Sequence, residues 1–412
     1  MVEVIVGGGV IGLSVAWRLA RAGRPVTVVD PDPAGGASHA AAGMLAPVSE
    51  VTYTEEPLLR LGLASLRRWP AFAAELAADA GLPEGARGVD LRTEGTLDVA
   101  FGADDLAALD ELAAFMEKLG LPVERLTGRE CRRLEPMLAP SVRGGLLAAG
   151  DAWVDPRRVT AALLAALERR EVPLVRTRVT ALLREDEPAG RVARGRREDT
   201  PEDRSAGLPR QDGPEGRVAG LRHADEAAGR VTGVRLEGGA ELPATTVVLA
   251  AGAWSAALAG VPVRPVKGQI LRLRSPQPLL TRCVRGSVHG SPVYLVPRGD
   301  GELVVGATQE ELGFDTRVTA GGLYELLRDA RELVPGVTEL ELADVVAGLR
   351  PGTPDNVPIV GPAGDGLVLA TGHHRGGVLL APLTAALVAG EAGGEEGGLA
   401  ALCSPARFGE IA

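Results

Sequence analysis

The 412-residue chain has few cysteines, few aromatic residues and almost no lysine. Cys131, Cys283 and Cys403 are too few and too scattered for a disulfide framework or a thiolate metal site, which fits a reducing cytoplasm. Aromatic residues make up 3% of the chain, so the core must consist of alanine, leucine and valine. The only lysines are Lys118 and Lys267, and arginine carries nearly all of the positive charge.

Positive net charge and long apolar runs are also absent. The formal net charge of −10 argues against a general nucleic-acid binder or a protein that binds anionic membranes. No apolar run reaches the roughly 18 residues that a membrane span needs, and the amino terminus has no basic segment followed by a cleavage site. The five histidines are not clustered with the cysteines. We therefore expect a cytoplasmic protein without nucleic-acid, membrane or metal partners.

Apolar residues make up 45% of the chain and charged residues 24%, which is typical of a globular protein. At roughly 150 residues per domain, the length predicts two to three domains. The first unit is a βαβ motif with an apolar strand over residues 2–6, a glycine turn, a helix over residues 13–21 and a second strand over residues 26–29. Gly23 is typical of a helix end.

Further helices and strands follow along the chain. Helices are predicted over residues 57–82, 103–119, 159–170 and 378–389, and strands over residues 172–183, 231–236, 245–251 and 367–370. Asp155 and Pro156 are typical of a helix start. Between residues 262 and 305, apolar and polar residues alternate between turn signals, which predicts antiparallel strands in a different sheet. The expected fold class is therefore α/β plus α+β.

Residues 184–230 interrupt this pattern. They are rich in Arg, Glu, Asp, Gly and Pro, and the phrase Gly-Arg-Val begins at positions 190, 216 and 229. Few residues in this segment could form a core, so we interpret it as a disordered insertion between two strands. A docking loop is the alternative interpretation.

The glycine turn of the first motif has the spacing of a dinucleotide site. Gly7, Gly9 and Gly12 form G-x-G-x-x-G directly after a strand and at the start of a helix. The first glycine permits the tight turn, the second lets a pyrophosphate approach the backbone, and the third allows the helix to pack on the strand. Asp30 ends the second strand, where a carboxylate can accept hydrogen bonds from ribose hydroxyls and disfavours a 2′-phosphate.

Two other stretches suit the same ligand. The small residues from 35 to 44 would let the backbone pack closely on an extended cofactor, although a flexible surface loop is the alternative. The turn over residues 372–377 lies between a strand and a helix. A helix start at that position would stabilise negative charge on a reduced flavin, whereas the alternative is an ordinary turn.

Motifs in one order over nearly the whole chain resemble the D-amino-acid oxidase superfamily of FAD enzymes, and most closely its glycine oxidases of the thiamine-thiazole pathway. These motifs are VIVGGGVIGLSVAWRLARAG, AAAGMLAP, VVLAAGAWS, PVKGQILRL, GATQEELGFD, AGLRPGTPDNVPIVGP and GHHRGGVLLAP. The first is shared by many FAD proteins, whereas the pair AGLRPGT and GHHRGG is more specific to amine-oxidising members. Residues 184–230 are not covered by the resemblance.

The resemblance implies a Rossmann-like FAD-binding domain built from discontinuous segments, residues 1–50, 140–260 and 341–412. It implies a substrate-binding domain with an antiparallel sheet from residues 51–139 and 261–340. It also implies oxidation of the C–N bond of glycine or another small amino acid, with electrons passing to FAD and then to oxygen to give hydrogen peroxide. Relatives suggest a homotetramer.

The motifs and the resemblance together indicate one set of FAD-binding residues. The set is Gly7, Gly9, Val10, Ile11, Gly12, Asp30, Ser38, Ala41, Ala42, Gly43, Met44, Val179, Ala251, Gly252, Trp254, His374, Arg375, Gly376, Gly377, Val378 and Leu379. No cysteine occurs over residues 346–353, where sarcosine-oxidase relatives bind flavin covalently, so dissociable FAD is expected.

Three residues match substrate-site positions of the family. Arg350 matches the arginine that binds the substrate carboxylate, a task that suits the planar guanidinium group. Tyr294 matches a tyrosine that closes the pocket, and Arg375 matches a residue at the flavin edge. The alternatives are a structural ion pair for Arg350, a packing role for Tyr294 and a surface charge for Arg375. The last would be unfavourable at a helix amino terminus.

Other functions remain open at this point. Gln309 stands where some glycine oxidases carry a methionine, which leaves the polarity of the pocket undetermined. A dehydrogenase for D-amino acids or N-methyl amino acids with another electron acceptor, such as a quinone, is one alternative. An NAD-dependent dehydrogenase would use the same first turn. A flavin-binding interaction protein, with residues 184–230 as its docking arm, is a non-enzymatic alternative.

Overall fold

The computed structural model describes residues 2–82, 88–185, 229–288 and 290–409. The strands are β1 Glu3–Val6, β2 Val26–Val29, β3 Met44–Leu45, β4 Thr96–Ala100, β5 Glu124–Thr127, β6 Gly144–Ala148, β7 Ala152–Trp153, β8 Leu174–Val175, β9 Val179–Arg184, β10 Val231–Leu236, β11 Glu241–Pro243, β12 Thr246–Leu249, β13 Arg264–Arg274, β14 Cys283–Val288, β15 Ser291–Pro297, β16 Glu302–Gly306, β17 Glu341–Gly352, β18 Ile359–Pro362 and β19 Leu367–Thr371. The α-helices are α1 Val10–Arg21, α2 Gly36–Ala40, α3 Glu56–Asp79, α4 Ala103–Lys118, α5 Gly128–Leu134, α6 Pro156–Arg169, α7 Ser255–Ala259, α8 Ala320–Leu333, α9 Gly377–Ala389 and α10 Gly394–Leu399.

A six-stranded sheet contains the predicted βαβ motif. Its order is β18-β19-β12-β1-β2-β8, and every neighbouring pair is parallel except β18 with β19. Strands β1 and β2 are buried along their whole length, because helices cover the sheet as parallel sheets require. Helix α1 ends at Arg21 with Ala22 as its C-cap, and Gly23 follows with a positive φ of 76°, as the sequence predicted.

The second large sheet has eight strands in the order β17-β13-β16-β15-β14-β4-β6-β5. Its pairs are antiparallel except β14 with β4, which are parallel. Helix α8 packs on one face, where Leu326 and Leu333 join a buried cluster with Leu271, Leu295 and Val305. The expected combination of a Rossmann-like sheet with an antiparallel sheet is therefore confirmed, with one parallel pair that local sequence did not predict.

Two strands belong to a different sheet from the one that the predicted segments imply. The predicted boundaries place β6 and β17 with the FAD-binding segments, but both pair within the eight-stranded sheet. The long partner of β17 is β13, and their paired residues are 67 to 88 positions apart in the chain. A pairing over this distance leaves no local sequence signal. The division into two domains otherwise stays a prediction.

The chain between β9 and β10 is bounded by two strands that pair with each other. Strand β9 pairs with β10 in antiparallel orientation, and Arg184 lies opposite Val231. Residues 172–183, predicted as a strand or two, form β8 in the six-stranded sheet and β9 in a three-stranded sheet with β10 and β11. The predicted disorder of residues 184–230 and their possible docking role fall mostly on residues 186–228, outside the described residues.

Helix α9 is an interior helix. It packs against α1 and α3, and residues 378–386 are buried around its whole circumference. Within the described ranges, no single helix is long and apolar enough to cross a membrane. One pair of helical segments, His374–Ala389 and Gly394–Phe408, meets the length and composition criteria only when taken together, with a bend of 96° between them.

Candidate active site

A cavity of about 980 Å³ lies between the two large sheets. One wall comprises the carboxyl ends of β1, β2, β12 and β19, where ligands bind in open α/β sheets. The other wall is formed by side chains of β13, β14, β15 and β17. The cavity is thus elongated and joins the glycine turn to the positions that the sequence assigned to substrate.

Most predicted site residues line this cavity. They are Gly7, Gly9, Val10, Ile11, Asp30, Ser38, Ala41, Ala42, Gly43, Met44, Val179, Ala251, Gly252, Trp254, Tyr294, Arg350, His374, Arg375, Gly377 and Val378. Gly12, Gly376 and Leu379 do not line it. The latter two line a small neighbouring pocket that Arg375 also touches.

The three glycines of the turn have different structural roles. Gly7 has a φ of 115°, and a Cβ there would overlap the carbonyl oxygen of Ala250. A Cβ at Gly12 would overlap the carbonyl oxygen of Gly7 itself. At Gly9 a Cβ would meet only the hydroxyl of Ser38, at 3.2 Å. The fold therefore requires Gly7 and Gly12, whereas Gly9 leaves open space on the cavity side.

Asp30 and Ser38 hold the turn in place. The N–H of Gly8 donates to Asp30 Oδ2 at 2.6 Å, and the N–H of Asp32 donates to Asp30 Oδ1 at 2.7 Å. Ser38 Oγ accepts from the N–H of Val10, the first residue of α1, at 2.9 Å. Asp30 thus shapes the turn while its side chain stays at the cavity edge that the sequence predicted for a ribose.

The loop of small residues is fixed by the opposite sheet. Arg298, which is buried, donates to the carbonyl oxygen of Val154 at 2.8 Å and also to that of Ala42. Gly43 has a φ of 82°, and a Cβ there would overlap the same Val154 carbonyl. Arg298 was not predicted as a site residue, because nothing in its local sequence indicates that its side chain is buried.

Three arginines line the substrate end of the cavity, and they differ in their partners. Arg285 forms ion pairs with Asp98 at 3.5 Å and Glu50 at 3.8 Å. Arg375 pairs with Glu55. Arg350 donates to two carbonyl oxygens, Thr308 O at 3.2 Å and Lys267 O at 3.4 Å, and has no carboxylate within ion-pair distance among the described residues. Its positive charge is therefore available to an anionic ligand.

Tyr294 lies beside this free guanidinium group. Burial raises the pKa of Tyr294, and the nearby Arg350 only partly opposes the rise. The phenol is therefore neutral at pH 7 and can donate a hydrogen bond. A Cβ at Gly306 would overlap the Tyr294 ring, so the absence of a side chain on β16 makes room for the tyrosine.

The carbonyl groups that hold Arg350 lie next to a partly buried polar network. Lys267 is 0% exposed, and its Nζ lies 3.3 Å from Glu310 and 3.5 Å from Asp315. Glu310 Oε1 accepts from Thr308 Oγ1 at 2.6 Å and from Gln269 Nε2 at 2.7 Å. This network fixes the segment that carries the Thr308 carbonyl. The network was not predicted, although its residues belong to the motifs PVKGQ and GATQE, which carry the family resemblance.

Residues 4–206 and 215–391 match the FAD dependent oxidoreductase family DAO. The chain belongs to this family. It is similar to the glycine oxidase of Geobacillus kaustophilus, with 33% identity over 93% of this chain and 91% of that protein. It is also 33% identical to the bifunctional protein ThiO/ThiG of Trichormus variabilis, over 94% of this chain and 52% of that protein.

Solved structures of family members agree with this assignment. The glycine oxidase structure from Geobacillus kaustophilus has a TM-score of 0.76 and 32% identity, and the match covers 94% of this chain and 93% of that one. Iminodiacetate oxidase from Chelativorans sp. BNC1 has a TM-score of 0.70 and 26% identity, with 94% of each chain covered. The relatives do not favour the NAD-dependent, alternative-acceptor or non-enzymatic interpretations.

The family's cofactor, FAD, fits the cavity. The space beside Gly9 is open for a pyrophosphate, and small residues line the adjoining wall. At the other end, His374 lines the cavity and its Nδ1 is buried without a hydrogen-bond partner among the described residues, so a bound cofactor could supply one. The residues present therefore accommodate the cofactor that the resemblance implied.

The residues at the start of α9 do not include a free base. His373 is buried and its Nε2 lies 2.9 Å from Thr384 Oγ1, while burial lowers its pKa to about 3. Burial also lowers the pKa of His374 to about 4. Arg375 is neutralised by Glu55, which explains how a cation is tolerated at a helix amino terminus.

Because His373 is buried, we expect the folded protein to lose stability in acid. The unfolded chain binds a proton at His373 near pH 6.5, whereas the folded protein does so only near pH 3. Between pH 7 and pH 5 this residue should therefore lower the free energy of unfolding by about 2 kcal/mol. Thermal unfolding followed by circular dichroism should show a smaller loss of Tm over this interval in His373→Gln. Equal losses in the variant and the parent would contradict the assignment.

A methyl group at Gly268 on β13 should displace the side chain of Arg350. A Cβ at Gly268 would overlap the guanidinium group of Arg350, so Gly268→Ala should raise the apparent KM for substrate about tenfold without loss of FAD. Steady-state kinetics and the flavin-to-protein absorbance ratio check both parts. Gly321→Ala is the matched control, since a Cβ on that helical residue meets no atom within 4 Å. An unchanged KM in Gly268→Ala would show that Arg350 does not bind substrate.

Proposed function

We propose that the protein is a glycine oxidase, which oxidises the C–N bond of glycine or another small amino acid to the imine and then the 2-oxo acid, with formation of hydrogen peroxide. One observation carries this proposal. Arg350 lies in the cavity wall beside neutral Tyr294 and, unlike Arg285 and Arg375, has no carboxylate partner among the described residues. A half-buried cation is stabilised by a counter-ion, and a substrate carboxylate supplies one.

The chain's own residues bind and orient the substrate. Arg350 forms two parallel charge-assisted bonds with the carboxylate, and Tyr294 donates a third bond. The carbonyls of Thr308 and Lys267 restrict the rotation of the guanidinium group, which fixes the α-carbon relative to the cofactor. FAD, when bound, supplies the acceptor for two electrons. Neither His373 nor His374 has a pKa suited to a general base. The substrate amine must therefore bind in its neutral form or lose its proton to a group other than these histidines.

The relatives support a place in thiamine synthesis. Several of them are named glycine oxidase, and others are bifunctional ThiO/ThiG proteins. We propose that the imine serves thiazole assembly, as the resemblance to the thiamine-thiazole enzymes implied. Oxygen as the electron acceptor is part of this proposal, while a cytoplasmic location and a homotetramer stay predictions.

Substrate-dependent bleaching of the flavin tests the proposed function. The FAD-loaded protein is mixed anaerobically with glycine, sarcosine, D-alanine, D-proline and larger D-amino acids, and the absorbance near 450 nm is followed. We expect glycine and the smallest amines to bleach the flavin, and admitted air to restore the colour with formation of peroxide. Bleaching by none of these amines would overturn the proposal, and a reduced flavin stable in air for minutes would indicate another acceptor.

A further inference from the structure

A second arginine lines the cavity next to the proposed carboxylate site. Arg285 on β14 lies directly opposite Tyr294 on β15, and both side chains line the cavity. The carbonyl oxygen of Ser49 accepts a hydrogen bond from Arg285 Nη1 at 2.9 Å, which directs the guanidinium group towards the loop before α3. Tyr294 is thus flanked by two guanidinium groups, Arg350 and Arg285.

The two guanidinium groups differ in charge compensation. Arg350 has no carboxylate partner among the residues that the structure describes, whereas Arg285 has Asp98 at 3.5 Å and Glu50 at 3.8 Å. Asp98 belongs to β4, behind Arg285 in the same sheet, and does not line the cavity. Glu50 does line the cavity. A ligand approaching Arg285 therefore meets the carboxylate of Glu50.

We propose that Glu50 is a specificity-determining residue that excludes amines with a second carboxylate group. The inference rests on the proposed function, because it assumes that Arg350 takes the first carboxylate. A monocarboxylate amine needs only Arg350 and Tyr294. A dicarboxylate amine would place its second carboxylate near Arg285, where Glu50 already compensates the charge and repels another anion. Specificity of this kind comes from a repulsive element as much as from an attractive one.

A matched pair of substrates isolates this effect. Sarcosine and iminodiacetate are both secondary amines derived from glycine, but only iminodiacetate carries a second carboxylate. In Glu50→Gln, which keeps the size of the side chain and removes its charge, kcat/KM for iminodiacetate relative to sarcosine should rise roughly tenfold. Glu56→Gln makes the same chemical change on the exposed first turn of α3 and should leave the ratio unchanged.

A double variant assigns the effect to Arg285. In Glu50→Gln combined with Arg285→Met, the gain for iminodiacetate should disappear, because the cation that attracts the second carboxylate is gone. A gain that persists in the double variant, or a ratio that does not rise in Glu50→Gln, would overturn the proposal while the proposed function stands.

A binding measurement tests the same inference without turnover. Acetate and malonate are titrated into the FAD-loaded proteins, and binding is followed by the change in flavin absorbance. Malonate should bind more tightly relative to acetate in Glu50→Gln than in the parent, again roughly tenfold, and equal ratios would contradict the proposal. If the parent oxidises none of the amines, the proposed function fails, and the claim about catalytic specificity fails with it. The titration then decides separately whether Glu50 governs the binding of dicarboxylates.

Discussion

Arg350→Lys should raise the apparent KM for glycine by roughly 30-fold, which corresponds to about 2 kcal/mol of lost binding. Lysine keeps the positive charge, but an ammonium group cannot form the two parallel bonds of a guanidinium group. The ammonium group also cannot donate to the carbonyl oxygens of Thr308 and Lys267 in the geometry that orients the guanidinium group of Arg350. Steady-state kinetics with glycine, monitored by peroxide formation, measures the change.

The Arg350 variant needs a control for indirect effects on the cofactor. Flavin occupancy of Arg350→Lys should match that of the parent, because Arg350 lies on the opposite wall from the glycine turn. An unchanged kcat/KM for glycine would remove Arg350 from the substrate site. It would also leave the uncompensated charge in the cavity wall without a function.

Gly9→Val should yield a folded protein that does not retain FAD. A Cβ at Gly9 meets only Ser38 Oγ at 3.2 Å, so the turn can accommodate it with a small adjustment. The two methyl groups of valine would fill the space through which the pyrophosphate approaches the backbone. The ratio of flavin absorbance to protein absorbance after purification should fall to near zero, while the circular dichroism spectrum stays similar to that of the apoprotein.

The other glycines of the turn supply a contrast to this experiment. Gly12→Ala adds a single methyl group, yet that group would overlap the backbone of Gly7, so we expect loss of folded protein instead of selective loss of FAD. Full flavin occupancy in Gly9→Val would show that the cofactor does not approach the turn there.

The cofactor half of the site could be predicted from sequence because its signals are local. Gly7, Gly9 and Gly12 lie within six residues, and Asp30 ends the next strand, so spacing alone brings them to one edge of the sheet. Arg350 and Tyr294 are different. Their positions in the cavity followed from the resemblance, since neither has a distinctive local pattern.

The residues that were missed depend on contacts between distant segments. Glu50 and Arg285 are 235 positions apart, and Arg298 binds carbonyl groups of Ala42 and Val154. Lys267 on β13 reaches Glu310, which lies beyond the end of β16 and pairs with Lys267 through an isolated bridge. Side-chain partners of this kind are set by strand order and register, and hydrophobic periodicity carries no information about either. The same reason explains why the pairing of β6 and β17 within the eight-stranded sheet could not be predicted from the sequence.

The cavity is lined by residues that are far apart in the sequence, and this affects when the protein can bind its flavin during synthesis. Gly7 is synthesised 370 positions before Gly377, although both residues line the same cavity. A nascent amino-terminal fragment presents the glycine turn without the rest of its pocket. Flavin capture should therefore wait until the segment around Gly377 and Val378 has been synthesised and folded, and a cell short of FAD would accumulate colourless chains that can still be loaded.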